Sequence, residues 1–132
     1  MLELLVHTER RTQLLDITAV VNERLMGQEC SAVVVFVPHT TAGLVLQASG
    51  AGAAAVAGDV ESALERIVDE RWSWQHTSEG DGNPWAHVRA ALTGSSVTIP
   101  LTEGALALGE FQSLFLCEFD GPCQRTVRLT LL

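Results

Sequence analysis

The sequence predicts a single α+β domain over residues 1–132, with a mixed or antiparallel sheet and two to three helices. Three observations carry this expectation. Strand-like and helix-like periods alternate along the chain, with no linker, internal repeat or low-complexity tail between them. One segment, Ala32-Val33-Val34-Val35-Phe36-Val37, is an unbroken apolar run dominated by β-branched residues. The 132 residues also suffice for one core burying roughly two-thirds of the unfolded chain's surface, so no disulfide staple is needed.

Taken in order, residues 3–16 read as a strand pair or one long bent strand. Leu5, His7 and Glu9 share one parity, and Leu4 and Val6 share the other. Asp16 or Thr18 can cap a short helix carrying Val20, Val21 and Leu25, and Gly27 supplies its stop. The apolar run at 32–37 then predicts a strand covered on both faces, ending at Pro38-His39-Thr40-Thr41. Leu44-Val45-Leu46 reads as another strand, and residues 49–58, glycines among alanines, as a flexible loop entering a helix.

From Asp59 onward, Val60, Leu64, Ile67 and Val68 form an apolar stripe, while Glu61, Glu65, Arg66, Asp69 and Glu70 are expected to face water. Residues 79–84 read as a polar loop, and Trp85 to Leu92 as a short helix that carries His87 and stops at Gly94. Strands are expected at 96–101, 113–119 and 126–132, separated by turns at Glu103-Gly104 and Asp120-Gly121-Pro122.

Composition narrows the function classes. The chain has 16 acidic and 8 basic residues, and every basic residue is arginine, so a phosphate-tracking surface for nucleic acid is not expected. A small anionic substrate stays open, because a few arginines or a metal can reverse the potential locally. Cys30, Cys117 and Cys123 are widely spaced and lack a Cys-x-x-Cys pair, as in reduced thiols. No apolar run approaches the roughly 18 residues of a membrane span. Met1-Leu2-Glu3 opens no export signal, so a soluble, cytoplasmic protein without membrane partners is expected.

Chemistry is concentrated around three histidines in polar settings: His39-Thr40-Thr41, His76-Thr77-Ser78, and Asp81-Gly82-Asn83-Pro84-Trp85-Ala86-His87. Imidazole is both a common metal ligand and the usual proton carrier near neutral pH. His76 and His87 do not match the His-x-x-x-His zinc spacing, so any shared site has to be assembled by the fold. Thr40 and Thr41 can serve a phosphate or satisfy their own turn. Glu118 and Asp120 share a strand parity that suits solvent and site equally. His7, inside the first strand pattern, reads as a surface histidine.

The ordered set of motifs resembles the YjbQ-like family, also called secondary thiamine-phosphate synthase. It comprises Pro38-His39-Thr40-Thr41-Ala42, His76, Asp81-x-Asn83-x-x-x-His87, Leu92-x-Gly94-Ser95-Ser96-Val97, Leu108-Gly109-x-x-Gln112 and Glu118-Phe119-Asp120-Gly121-Pro122. The resemblance implies a trimer-forming α+β fold with a pocket for a divalent metal (Zn, or Mg or Mn) and His39, His76 and His87 as its ligands. It places Thr40, Thr41, Asn83, Ser95 and Ser96 against substrate, and assigns catalytic roles to Asp81, Asp120 and Arg125. A helix N-terminus near Ser95 and Ser96, together with Arg125, is expected to add positive potential. The small residues 51–58 are expected to permit close approach between subunits.

The chain departs from the family pattern at three points. Gln47-Ala48 stands where an Asn-Glu pair is usual, Phe111-Gln112 replaces Trp-Gln, and Cys123 takes the place of an arginine after Asp-Gly-Pro. The implied activity is a metal-assisted transfer joining a pyrimidine diphosphate to a thiazole phosphate, expected to be weak or lost here. The alternatives are a metal-dependent hydrolase with a three-histidine site and a non-catalytic trimeric protein that binds metal or a small ligand.

Overall fold

The computed structural model describes residues 1–77 and 82–132. The chain forms β1 (Leu2–His7), β2 (Gln13–Asp16), α1 (Thr18–Leu25), β3 (Ala32–Phe36), β4 (Ala42–Ala48), α2 (Ala53–Ile67), α3 (Pro84–Thr93), β5 (Ser96–Thr102), β6 (Ala105–Leu106), β7 (Gln112–Glu118) and β8 (Gln124–Leu131). A five-stranded sheet has the order β1-β8-β3-β5-β6, and a three-stranded sheet the order β2-β7-β4. Every pairing is antiparallel. This is the predicted α+β class, with three helices.

The two sheets and helices build two cores that share β7. Leu114 and Leu116 point into one cluster with Val33, Val35, Val127 and Leu129 of the larger sheet and Val21 and Leu25 of α1. Phe115 and Cys117 point the other way, into a cluster with Ala57 of α2 and Ala86 and Ala90 of α3. Alternating side chains are thus buried on both faces of β7.

That arrangement corrects the expectation for the 32–37 run. Val33 and Val35 of β3 are fully buried, but Val34 is half-buried and Phe36 is 38% exposed. β3 lies in the outer sheet, whose far face is covered by no helix among the described residues. β7 is the strand enclosed on both sides. Residues 3–16 likewise form two strands that do not pair with each other: β1 joins β8, and β2 joins β7.

Helix α1 starts at Thr18 with Ile17 at its N-cap, not Asp16 or Thr18; Asp16 Oδ1, one position earlier, accepts the Thr18 backbone N–H at 2.9 Å. The region 49–58 departs from expectation. Helix α2 already begins at Ala53, because the high helix propensity of its alanines outweighs the interior Gly58. Its inward face includes Glu61, 9% exposed rather than facing water, whose carboxylate accepts the Leu14 N–H at 2.8 Å and pairs with Arg10 at 3.0 Å. Helix α3 has Pro84 in its first turn and ends at Gly94, where φ is +86°. Gly43 of β4 lies so close to Thr93 and the Gly94 carbonyl that a Cβ there would overlap them, which brings β4 against the end of α3.

The three cysteines are free; Cys117 is buried, Cys30 half-buried and Cys123 exposed. Among the described residues no helix is long and apolar enough to cross a membrane.

Candidate functional site

His39 follows β3, where the chain leaves the sheet. Its Nε2 accepts the backbone N–H of Thr126 on β8 at 2.9 Å, so the ring completes a ladder position that β3 no longer occupies. This bond fixes the tautomer: Nε2 carries the lone pair, and Nδ1 carries the proton. Burial and the neighbouring Arg125 charge hold the His39 pKa below the ordinary histidine value, so the ring is neutral at pH 7.

His76 and His87 meet edge to face, their ring centroids 5.2 Å apart. His87 comes from α3, while Asn83 at that helix's N-cap holds His76 through a 3.2 Å contact from Oδ1 to Nε2. Asn83 Nδ2 donates to Asp120 Oδ2 at 2.6 Å. A carboxylate can only accept in that bond, so Asn83 must turn its carbonyl toward His76, and His76 Nε2 must be the donor. Asp120 therefore acts through Asn83 to set the histidine's orientation.

Two hollows adjoin at His87. The first, about 470 Å³, is lined by Trp74, His76, Pro84, His87 and Val88, with Ser73 and Gln75. The second, about 390 Å³, is lined by His39, Thr40, Ser95 and His87 over a floor of Ala42, Ala90, Ala91 and Gly94. His87 borders both, and the other two histidines lie in different hollows. Among the described residues no three His, Cys, Asp or Glu side chains are grouped to hold a metal ion. With His39 Nε2 engaged by Thr126, the three imidazoles of one protomer do not fit a single metal centre as they stand.

The remaining sequence candidates separate. Thr40 and Ser95 line the second hollow. Ser96 begins β5 and lines neither. Thr41 is buried, and its Oγ1 accepts from Arg125 Nη2 at 2.8 Å. Asp81 lies outside the described residues. Ser95 follows the C-terminus of α3, so the helix end beside it carries the negative pole rather than the expected positive one.

Arg125 is not poised for a substrate anion. Its Nε donates to Glu118 Oε1 at 2.8 Å, and its Nη2 bonds Glu118 Oε2 and the Thr41 backbone carbonyl. Glu118, fully buried, also accepts from Thr8 Oγ1, the Phe119 and Asp120 backbone N–H groups and the Cys123 thiol. Burial alone would raise the Glu118 carboxyl, but Arg125 and these donors outweigh it and hold it below the usual carboxylate range. Burial and the Glu118 charge push the Cys123 thiol up. Gly121 closes this knot; a Cβ there would lie 2.8 Å from both Glu118 Cγ and Thr8 Oγ1.

Sequence reasoning missed Trp74, Pro84 and Val88 as walls of the first hollow and Ala90 and Ala91 as the floor of the second. Trp74 lies two residues before His76, a spacing that could have drawn attention to it. The alanines carry no chemical signal, since their part is to leave space.

Comparison with known proteins agrees with this arrangement of elements. Residues 2–132 match the family described as UPF0047 protein YjbQ-like. A UPF0047 protein of Archaeoglobus fulgidus is 36% identical over 126 residues, covering 96% of each chain. The UPF0047 protein YugU of Bacillus subtilis is 32% identical over 131 residues, covering 96% of this chain and 95% of its own. A crystal structure of a conserved hypothetical protein from Thermus thermophilus superposes with a TM-score of 0.89 at 34% identity, over the whole of both chains. An uncharacterised YjbQ/UPF0047 protein from Clostridium acetobutylicum gives 0.86 at 32%, also over both whole chains. The chain described here therefore belongs to the YjbQ-like UPF0047 family.

Proposed function

We propose that the chain is a small-molecule transferase of the secondary thiamine-phosphate synthase type, with its rate reduced by Ala48 and Cys123. The Asp120–Asn83–His76 relay, ending edge-on at His87 between two hollows, carries this reading. In the reaction a thiazole nitrogen attacks the methylene carbon of the pyrimidine diphosphate. The new C–N bond forms as the C–O bond breaks, and diphosphate departs with the bonding electrons. The Nε2–H of His76 is committed to Asn83, so the N–H group offered to the departing oxyanion is that of His87, which lies against His76. The neutral His39 Nδ1–H, Thr40 and Ser95 supply further donors in the second hollow.

A divalent cation belongs to the proposal only with His76 and His87 as its ligands, any others coming from outside the described residues of one protomer. The proposal also includes a homotrimer, supported by the uncovered outer sheet face bearing Leu5, Val34 and Phe36. Light scattering over a range of concentrations tests the assembly, and a constant monomer mass rules it out.

The activity test incubates the purified chain with both thiamine precursors, with and without added divalent metal. Weak product formation is expected, abolished in His87→Ala. Ala48 stands at the far end of β4 from Ala42, so a glutamate there can serve this site only from a neighbouring protomer of the proposed trimer; Ala48→Glu should then raise turnover, by about a hundredfold if its loss removed a proton-transfer group. No product from the unmodified chain or from the Ala48→Glu, Cys123→Arg double variant overturns the reading.

A further inference from the structure

We infer that the hollow beside Trp74 is the subsite for a planar heteroaromatic ring, with the oxygen-rich end of the same ligand seated past His87 in the second hollow. The inference rests on the transferase reading for the identity of the ligand, but its geometry stands independently. At about 470 Å³ the first hollow falls within the roughly 300–1,000 Å³ typical of small-molecule pockets. Its walls are one indole, two imidazoles, a proline ring and a valine, with Ser73 and Gln75 beside them. Such a lining offers flat π faces and mainly apolar surface with a few polar groups at its side, which favours stacking of a ring over binding of a phosphate or an acyclic polar chain.

The indole wall is held in place. Trp74 Nε1 donates to the Glu70 carbonyl at 3.2 Å, and the ring stacks on Trp72 with centroids 5.4 Å apart and planes 29° apart. A wall fixed before binding loses little side-chain entropy when a ring stacks on it. The second hollow has the opposite character: hydroxyls of Thr40 and Ser95 and the His39 Nδ1–H above small residues. Donors over an alanine and glycine floor suit bulky oxygens. A ligand with an aromatic end and a phosphorylated end would therefore place their junction at His87, the residue common to both hollows.

The test uses calorimetry and ligand-observed NMR with 4-aminopyrimidine as the probe and cyclohexylamine as a saturated ring of similar size. The aminopyrimidine should bind saturably and the saturated ring should not. Trp74→Ala should weaken binding about fivefold to about a hundredfold, the range for loss of one aromatic stacking partner, while Trp74→Phe should keep most of it. Val88→Trp fills the hollow while leaving Trp74 in place and should abolish binding; thermal unfolding of each variant checks that it is folded. Equal binding of the two probes, no binding by the unmodified chain, or binding that survives both Trp74→Ala and Val88→Trp overturns the inference. Trp74-dependent ring binding without thiamine-phosphate synthesis would refute the transferase reading and leave the subsite standing. Synthesis whose KM ignores Trp74→Ala would do the reverse.

Discussion

Two polar clusters lie on the two sides of Asp120, and they differ in what they leave unused. In the knot around Glu118 every contact turns inward: guanidinium, hydroxyl, thiol and backbone N–H groups all converge on one carboxylate that solvent does not reach. At the His76–His87 pair the contacts come from behind, through Asn83, and the rings border open space. A buried charge that is fully bonded holds structure together, whereas a ring oriented from behind and left facing a hollow is arranged to meet a ligand. The motif Glu118-Phe119-Asp120 thus sends one acid to the fold and the other to the site.

The sharpest way to break this distinction is Glu118→Gln. It leaves the Arg125 guanidinium buried without its counter-charge, so the chain should lose about 3–5 kcal/mol of stability, read from urea unfolding. Ring binding by the remaining folded fraction should be unchanged. Because the folded carboxyl is depressed, its stabilising contribution is fully present above the ordinary glutamate value and is lost progressively as pH falls from there through the lowered one. A stability change below about 1 kcal/mol in Glu118→Gln, within the range of an ordinary net hydrogen bond, would remove the structural assignment.

Asp120→Ala sharpens the other side of the comparison. Stability should fall by no more than about 1 kcal/mol, since one partly exposed hydrogen bond is lost. The larger effect is on orientation: Asn83 is free to turn its amide, and the ring ¹⁵N shifts of His76 should report a changed share of protonated Nε2. An unchanged His76 tautomer would show that Asp120 does not act through Asn83.

His39 should give the smallest effect. Its folded pKa is lowered, so the unfolded chain binds the proton more readily, and stability should start to fall as pH drops below the ordinary histidine value of about 6.5 and continue until folded His39 titrates. Urea midpoints measured across that window for the unmodified chain and His39→Gln should differ in slope. Parallel slopes would mean that burial beside Arg125 does not hold the pKa of this ring down.

The sequence is most informative where local rules act alone. Gly27 and Gly94 end their helices at positive φ, and the turn at Glu103-Gly104 falls where expected. It is less informative where tertiary partners decide. Val33-Val34-Val35 and Leu114-Phe115-Leu116 are both apolar runs, and only sheet order determines which of them is enclosed on both faces. Glu61 reads as a solvent-facing helix acid because its partners, Arg10 and the Leu14 N–H, are about fifty positions away, at separations of 51 and 47 residues. The histidine motifs identify the chemical groups of the candidate site, but not that His39 Nε2 is engaged by Thr126 or that Arg125 is neutralised by Glu118. Those facts depend on β8 lying beside the end of β3.

The position of β8 also bears on how the chain is made. Among the described residues β1 has one ladder neighbour, and its register pairs Leu2 with Leu129 and His7 with Gln124. Strand β1 must wait for β8, far later in the chain, before it can hydrogen-bond, and β3 waits for the same segment on one side. Until β8 leaves the ribosome, both strands present bare edges that invite pairing with other nascent chains. Closure of this domain therefore depends on β8, and loss of its residues would act less like trimming a strand than like removing a keystone.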